Sequence, residues 1–166
     1  MISSARPKAV RSSAARRDRA PDTLAFMRLL WSLDHRLRSL SKRMQDRLGI
    51  TAPQRLALRL IGRAAAPLTP SQLAEALHLD RGTLTGIIER LESRGLLQRQ
   101  PHASDGRSVL LSLSARGRRL DRETSGTVED CVRRALSTLT RPQIEAAEQV
   151  LEALTRELDG ELSLDR

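Results

Sequence analysis

A mainly α-helical chain with one small β-hairpin is the fold class this sequence predicts, and three observations lead to it. Apolar residues recur every three or four positions along most of the 166 residues, the period of helices with one buried face. A Thr followed three residues later by Gln occurs at Thr51, Thr69 and Thr140, each time with a Pro in the first turn. That is capping-box spacing, and the missing N–H of the Pro costs nothing there. One stretch breaks the helical period: "PHASDGRSVLLSLS", residues 101–114, has a polar run, an Asp-Gly pair and an extended apolar segment.

Each element follows from these signals. A first helix covers about 22–47, with Leu30, Leu33, Leu37, Leu40 and Met44 on one stripe. The three capping boxes start helices at about 52, 70 and 141. Asp80 caps a further helix, and Gly95 ends it in a left-handed conformation after the basic Arg90 and Arg94. Residues 96–100, "LLQRQ", pair with 108–113, "SVLLSL", through a turn at Asp105-Gly106. One long helix is expected from about 115 to 138, with Leu120, Val128, Val132, Leu136 and Leu139 inward. The last helix, running to about 162, repeats Ile144, Ala147, Leu151, Leu154 and Leu158.

Charge narrows the function. The net charge is +9, unevenly spread. Residues 1–119 hold 23 Lys/Arg against 9 Asp/Glu, whereas residues 120–166 hold 6 against 11. A basic body with an acidic end suits a polyanion, with nucleic acid the leading candidate, bound by the first part alone. The first twenty residues carry six basic side chains, one acidic one and little to bury. They read as a disordered basic arm able to touch phosphates, in preference to an organellar targeting peptide. The lone Cys131 excludes an internal disulfide and suits a reducing cytoplasm. No stretch approaches the roughly 20 apolar residues of a membrane helix.

Residues 69–95, "TPSQLAEALHLDRGTLTGIIERLESRG", describe two short helices joined by His78 to Asp80. Leu73, Ala74 and Leu77 give the first its inner face, and Leu84, Ile87, Ile88 and Leu91 do so for the second. Ala74, small where the helices must approach, completes the signature of a helix-turn-helix. The second helix presents Arg81, Gly82, Thr83, Thr85 and Gly86 outward at its start, with Arg90 further along. Short side chains there let a helix N-terminus enter a major groove. Gly86 costs about 1 kcal/mol of helix propensity, so either a DNA backbone or another helix approaches it. A hairpin directly after such a helix is a wing. Arg107 at its tip is placed to enter a narrow, electronegative minor groove, and Asp105 to hold that Arg in one pose.

At this point residues 68–117, "LTPSQLAEALHLDRGTLTGIIERLESRGLLQRQPHASDGRSVLLSLSARG", resemble the multiple-antibiotic-resistance regulator (MarR) family of winged-helix transcription factors. The resemblance covers roughly 22–160. It implies a homodimer whose terminal helices form the interface and whose two winged lobes bind a palindrome. Thr83 and Thr85 would then face bases or phosphates, and Asp105 and Arg107 would be the wing pair. Gly86 is a departure, since many members carry a basic or polar residue there.

The domain organisation expected is a basic arm over 1–20 and one domain over 21–166. Its winged helix-turn-helix lobe covers about 52–113, and the dimerisation helices about 22–47 and 115–162. A dimer also follows from the apolar stripes, which one small lobe cannot cover; a two-fold partner would set half-sites about 34–36 Å apart. Arg55, Arg59 and Arg63 share a face of the second helix and read as solvated, with phosphate contact as the other option.

Other function classes fit poorly. His102, Ser104 and Asp105 name a hydrolytic triad, but three neighbours on one turn cannot converge in a dry pocket. His35, His78, His102 and Cys131 lack paired ligand spacing, so neither a metal nor another cofactor is expected. A small aromatic or anionic effector would find Trp31, His35 and Arg36 on the first helix, although a lone Trp is more often core. A redox switch through Cys131 is the alternative, but peroxide-sensing relatives place the reactive Cys near the N-terminus beside Tyr. Tyr is absent here, and Cys131 reads as an inert core thiol. A non-sensing structural dimer remains the third option. The reading is therefore a cytoplasmic, non-enzymatic DNA-binding regulator, a repressor by preference.

Overall fold

The computed structural model describes residues 22–101 and 109–164. The basic arm and the hairpin tip, with His102, Ser104, Asp105 and Arg107, lie outside the described residues. The elements are α1 (Thr23–Leu48), α2 (Ala52–Arg63), α3 (Pro70–Leu77), α4 (Arg81–Ser93), β1 (Leu97–Pro101), β2 (Val109–Leu113), α5 (Ala115–Arg122), α6 (Val128–Leu136) and α7 (Arg141–Leu164). The chain divides into two units, one ending at His35 and the other beginning at Arg36. In the first unit, Asp22 Oδ1 accepts the Ala25 N–H at 3.0 Å and so caps α1.

The second unit holds the core. Ala57, Leu58 and Ile61 of α2 pack with Leu73 and Ala74 of α3 and with Leu84, Ile87, Ile88 and Leu91 of α4. Leu97 of β1 and Leu111 and Leu113 of β2 close the cluster from the hairpin side. The strands pair antiparallel from Leu97↔Leu113 to Pro101↔Val109, the pairing expected from the sequence. Leu68 adds an isolated bridge to Leu111, whose N–H donates to the Leu68 carbonyl at 2.7 Å. The helices begin where the capping signals put them. Gln54 Oε1 accepts the Thr51 N–H at 3.0 Å, and Gln72 and Gln143 accept those of Thr69 and Thr140 at 2.9 Å each.

The expected long helix over 115–138 is two helices. It breaks between Arg122 and Val128, where Gly126 takes φ +63°. Thr127, fully buried, caps α6 by accepting the Asp130 N–H at 3.3 Å. The end of α5 is held from α2: Arg55 donates to the carbonyls of Leu120, Asp121 and Glu123. Arg55 is thus buried, and Arg59 pairs with Asp121 at 2.9 Å, so the solvated face expected of Arg55, Arg59 and Arg63 survives only at Arg63, which is exposed.

Many stripe residues of the terminal helices are exposed. Val132 is 44% exposed and Leu158 63%, while Met44 is the one stripe residue of α1 that is buried.

Candidate nucleic-acid interface

Two helix ends build the turn between α3 and α4. At the end of α3, His78 takes a left-handed conformation, φ 51° and ψ 44°. The Leu79 N–H reaches back to the Ala74 carbonyl at 3.0 Å, and the His78 N–H to that of Glu75 at 3.1 Å. That pair of bonds closes a helix and reverses the chain within two residues. Asp80 then caps α4: Oδ1 accepts the Thr83 N–H at 2.9 Å and Oδ2 accepts the Thr83 hydroxyl at 2.6 Å. The Thr83 hydroxyl, with the Thr83 N–H behind it, holds the Asp80 carboxyl below its ordinary value.

The buried face of α4 is Leu84, Ile87, Ile88 and Leu91, and this sets its opposite face outward. Arg81, Gly82, Thr83, Thr85 and Arg90 are exposed there. A Cβ at Gly86 would meet nothing within 4 Å, so among the described residues no helix packs on it. The Thr85 hydroxyl donates to the Arg81 carbonyl at 2.7 Å. With both Thr protons engaged inside the helix, Thr83 and Thr85 offer a ligand their methyl groups and acceptor lone pairs. At Gly82, Thr83, Thr85 and Gly86 the outer face of α4 is short-chained and shallow, as close approach of a base-pair edge requires.

The hairpin is tied to α4 at three points. Gly95, φ +65°, ends the helix, with the Leu96 N–H on the Leu91 carbonyl at 2.9 Å. Ser114 Oγ donates to the Gly95 carbonyl at 2.6 Å and accepts the Gly117 N–H at 2.9 Å, so one hydroxyl links the helix end to the start of α5. Arg99 of β1 grips Glu92 of α4 with Nε to Oε1 at 2.5 Å and Nη2 to Oε2 at 2.9 Å. This bidentate pair fixes the strand against the helix. Sequence reasoning missed Glu92 and Arg99, which pair seven positions apart, and Ser114, whose Gly95 partner lies 19 positions away although its cap on Gly117 stands at local spacing.

The other expected site residues are placed less tightly. Trp31 is 62% exposed and therefore not core; His35 and Arg36 are exposed as well. An open cleft of about 350 Å³ between the end of α2 and the hairpin is lined by other residues, including Gln98, Ser112 and Arg118. Cys131 is half-buried on α6, outside the core cluster, with Arg134 Nη2 at 3.2 Å from its sulfur; the expected core thiol is corrected to a boundary one. Among the described residues, no group of three or more His, Cys, Asp or Glu is placed to hold a metal ion, and no helix is long and apolar enough to cross a membrane.

The MarR family profile matches residues 50–109, the lobe just described. The multiple antibiotic resistance protein MarR of Escherichia coli is 33% identical over 105 residues, 63% of this chain and 72% of that protein. The chain belongs to the MarR family of transcriptional regulators. Another relative in that company, the organic hydroperoxide resistance transcriptional regulator of Bacillus subtilis, is 40% identical over 89 residues. That alignment spans 54% of this chain and 60% of the relative's length. The crystal structure of a mutant E. coli MarR complexed with operator DNA is similar to the fold, with a TM-score of 0.63 at 30% identity. The match covers 79% of this chain and 94% of that one. A mainly helical chain with one hairpin, expected from periodicity and caps, is the fold these winged-helix regulators share.

Proposed function

We propose that this MarR-family chain is a repressor that binds a two-fold-symmetric operator as a homodimer. In this reading α4 enters the major groove with Arg81, Thr83, Thr85, Gly86 and Arg90 on its DNA side. The wing carries Arg107 into the adjacent minor groove, oriented by Asp105. The uncovered stripes of α1, α6 and α7 pair with those of a second copy, and the protein works in the cytoplasm without a catalytic step. A small aromatic or anionic effector, if one releases the DNA, contacts Trp31, His35 and Arg36.

One observation carries the reading: the outward face of α4 is exposed and vacant at Gly86, with its side-chain hydroxyl protons already engaged. Among the described residues nothing packs on Gly86, and the face is shaped for close approach by a ligand surface. The experiment is operator affinity measured over a range of salt concentrations. Arg107→Ala removes a charge from the phosphate field, so affinity falls and the salt slope drops by about 1. Thr85→Ala leaves the slope in place and shifts preference among operator variants by roughly 1 kcal/mol or more. Unchanged affinity and slope for Arg107→Ala would remove the wing from the reading.

A further inference from the structure

Arg55 occupies the first turn of α2, where a cation ordinarily points to water, yet it is 1% exposed. Its guanidinium makes four hydrogen bonds across two other helices. Nη1 donates to the Leu120 carbonyl at 2.6 Å, and Nη2 to those of Asp121 and Glu123 at 3.2 and 2.5 Å. Nε donates to Glu129 Oε1 at 2.6 Å. The first three acceptors are carbonyls at or just past the end of α5, and that of Leu120 also accepts the Glu123 N–H at 3.1 Å. The fourth belongs to the first turn of α6. One planar fork therefore grips the end of one helix and the start of the next.

Two more arginines support the grip. Arg59 Nη1 donates to the Asp121 carbonyl at 2.8 Å and to its Oδ1 at 2.9 Å, and Arg47 Nη2 donates to the Ser125 carbonyl. Between the gripped ends lies the connector 123–127, with the left-handed Gly126 and the buried Thr127. A connector of this kind is a joint; the guanidinium sets its angle. The setting is close to all-or-none, because a buried cation that loses one partner keeps its desolvation cost. Lysine cannot substitute. Its three donors radiate from one nitrogen and do not span acceptors on two helices.

The position of this joint gives it a consequence. Arg55 is one turn from Leu58, a fully buried core residue of the winged lobe, while α6 and α7 carry the uncovered stripes. We infer that Arg55 is a positioning residue that fixes the angle between the winged lobe and the C-terminal helices, and so selects the half-site spacing the protein accepts. This rests on the dimeric DNA-binding reading proposed above. Two α4 helices related by a dimer axis must meet grooves in register, and one added base pair both rotates and displaces a half-site. A rigid joint translates that mismatch into lost affinity; a loose joint absorbs it.

The test uses full-length wild type, Arg55→Lys, Glu129→Gln and Leu58→Ala. Selection from random duplexes first defines the wild-type site. Affinities are then measured on duplexes with its two half-sites separated by spacers changed by one to three base pairs. Wild type should lose affinity on the order of tenfold per altered spacer, the size of a typical coupling between sites. Arg55→Lys and Glu129→Gln should keep the half-site sequence and lose most of that discrimination. Leu58→Ala, a core truncation that merely lowers the melting temperature, should keep it. Should Arg55→Lys fail to fold, Glu129→Gln decides alone, since its side chain is 32% exposed and its shape unchanged. Spacer preference identical to wild type in the folded variants overturns the inference. A wild type that selects no paired half-sites instead removes the dimeric reading, and the inference with it.

Discussion

Thr83 gives both of its protons to Asp80, the N–H to Oδ1 at 2.9 Å and the hydroxyl to Oδ2 at 2.6 Å. The start of α4 is thus held by an anion at the end of a helix where anions are favoured. One carboxylate both terminates the turn and orients a residue on the proposed DNA face.

This bond makes stability depend on acid. The Thr83 bonds depress the Asp80 pKa in the folded state, so its contribution is fully present above the unfolded value near 3.9. The contribution is lost as pH falls through the folded value. Asp80→Asn should therefore melt below wild type from neutral pH down to about 5, and the gap should close in stronger acid. Thermal unfolding by circular dichroism across that range checks it. A gap that stays constant, or widens on acidification, would contradict the carboxylate cap.

Gly86→Ala separates stability from binding. Since an added Cβ meets nothing within 4 Å, alanine fits the folded chain and should stabilise α4 by about 1 kcal/mol. Operator affinity should nevertheless fall, because the methyl stands where the groove must come close. A variant that is more stable and binds DNA as tightly as wild type would show that nothing approaches this surface.

Gly117→Ala should act in the opposite sense. A Cβ there would lie 2.1 Å from the Leu96 carbonyl oxygen, a backbone atom that cannot swing aside. Either α5 or the base of the hairpin must shift, at a cost of about 1–3 kcal/mol or more. Urea denaturation should give a lower midpoint; an unchanged midpoint would mean that the α5–hairpin contact is loose.

Local chemistry made most of the fold legible. Thr51, Thr69 and Thr140 marked three helix starts within one residue, and Asp80 and Gly95 bracketed α4, because caps act over three or four positions. The break in the 115–138 segment went unread, although Thr127 and Asp130 stand at cap spacing, because apolar periodicity ran through it. Arg55 was illegible in kind. Its acceptors lie 65 to 74 positions away, and arginine at helical spacing reads as solvent-facing until the fold brings carbonyls to it. For the candidate site, residue types were legible on α4, but the engagement of the Thr83 and Thr85 protons was not. Each hydroxyl chooses among neighbours that the sequence alone does not rank.

The base of the hairpin has anchors of its own. Five strand pairs, the Leu68 bridge on a fully buried Leu111 and the Glu92–Arg99 clamp all lie outside residues 102–108. These anchors bind β1 and β2 to α4 and to the core cluster. Within the proposed reading, a displacement of α4 would therefore carry the base of the hairpin with it.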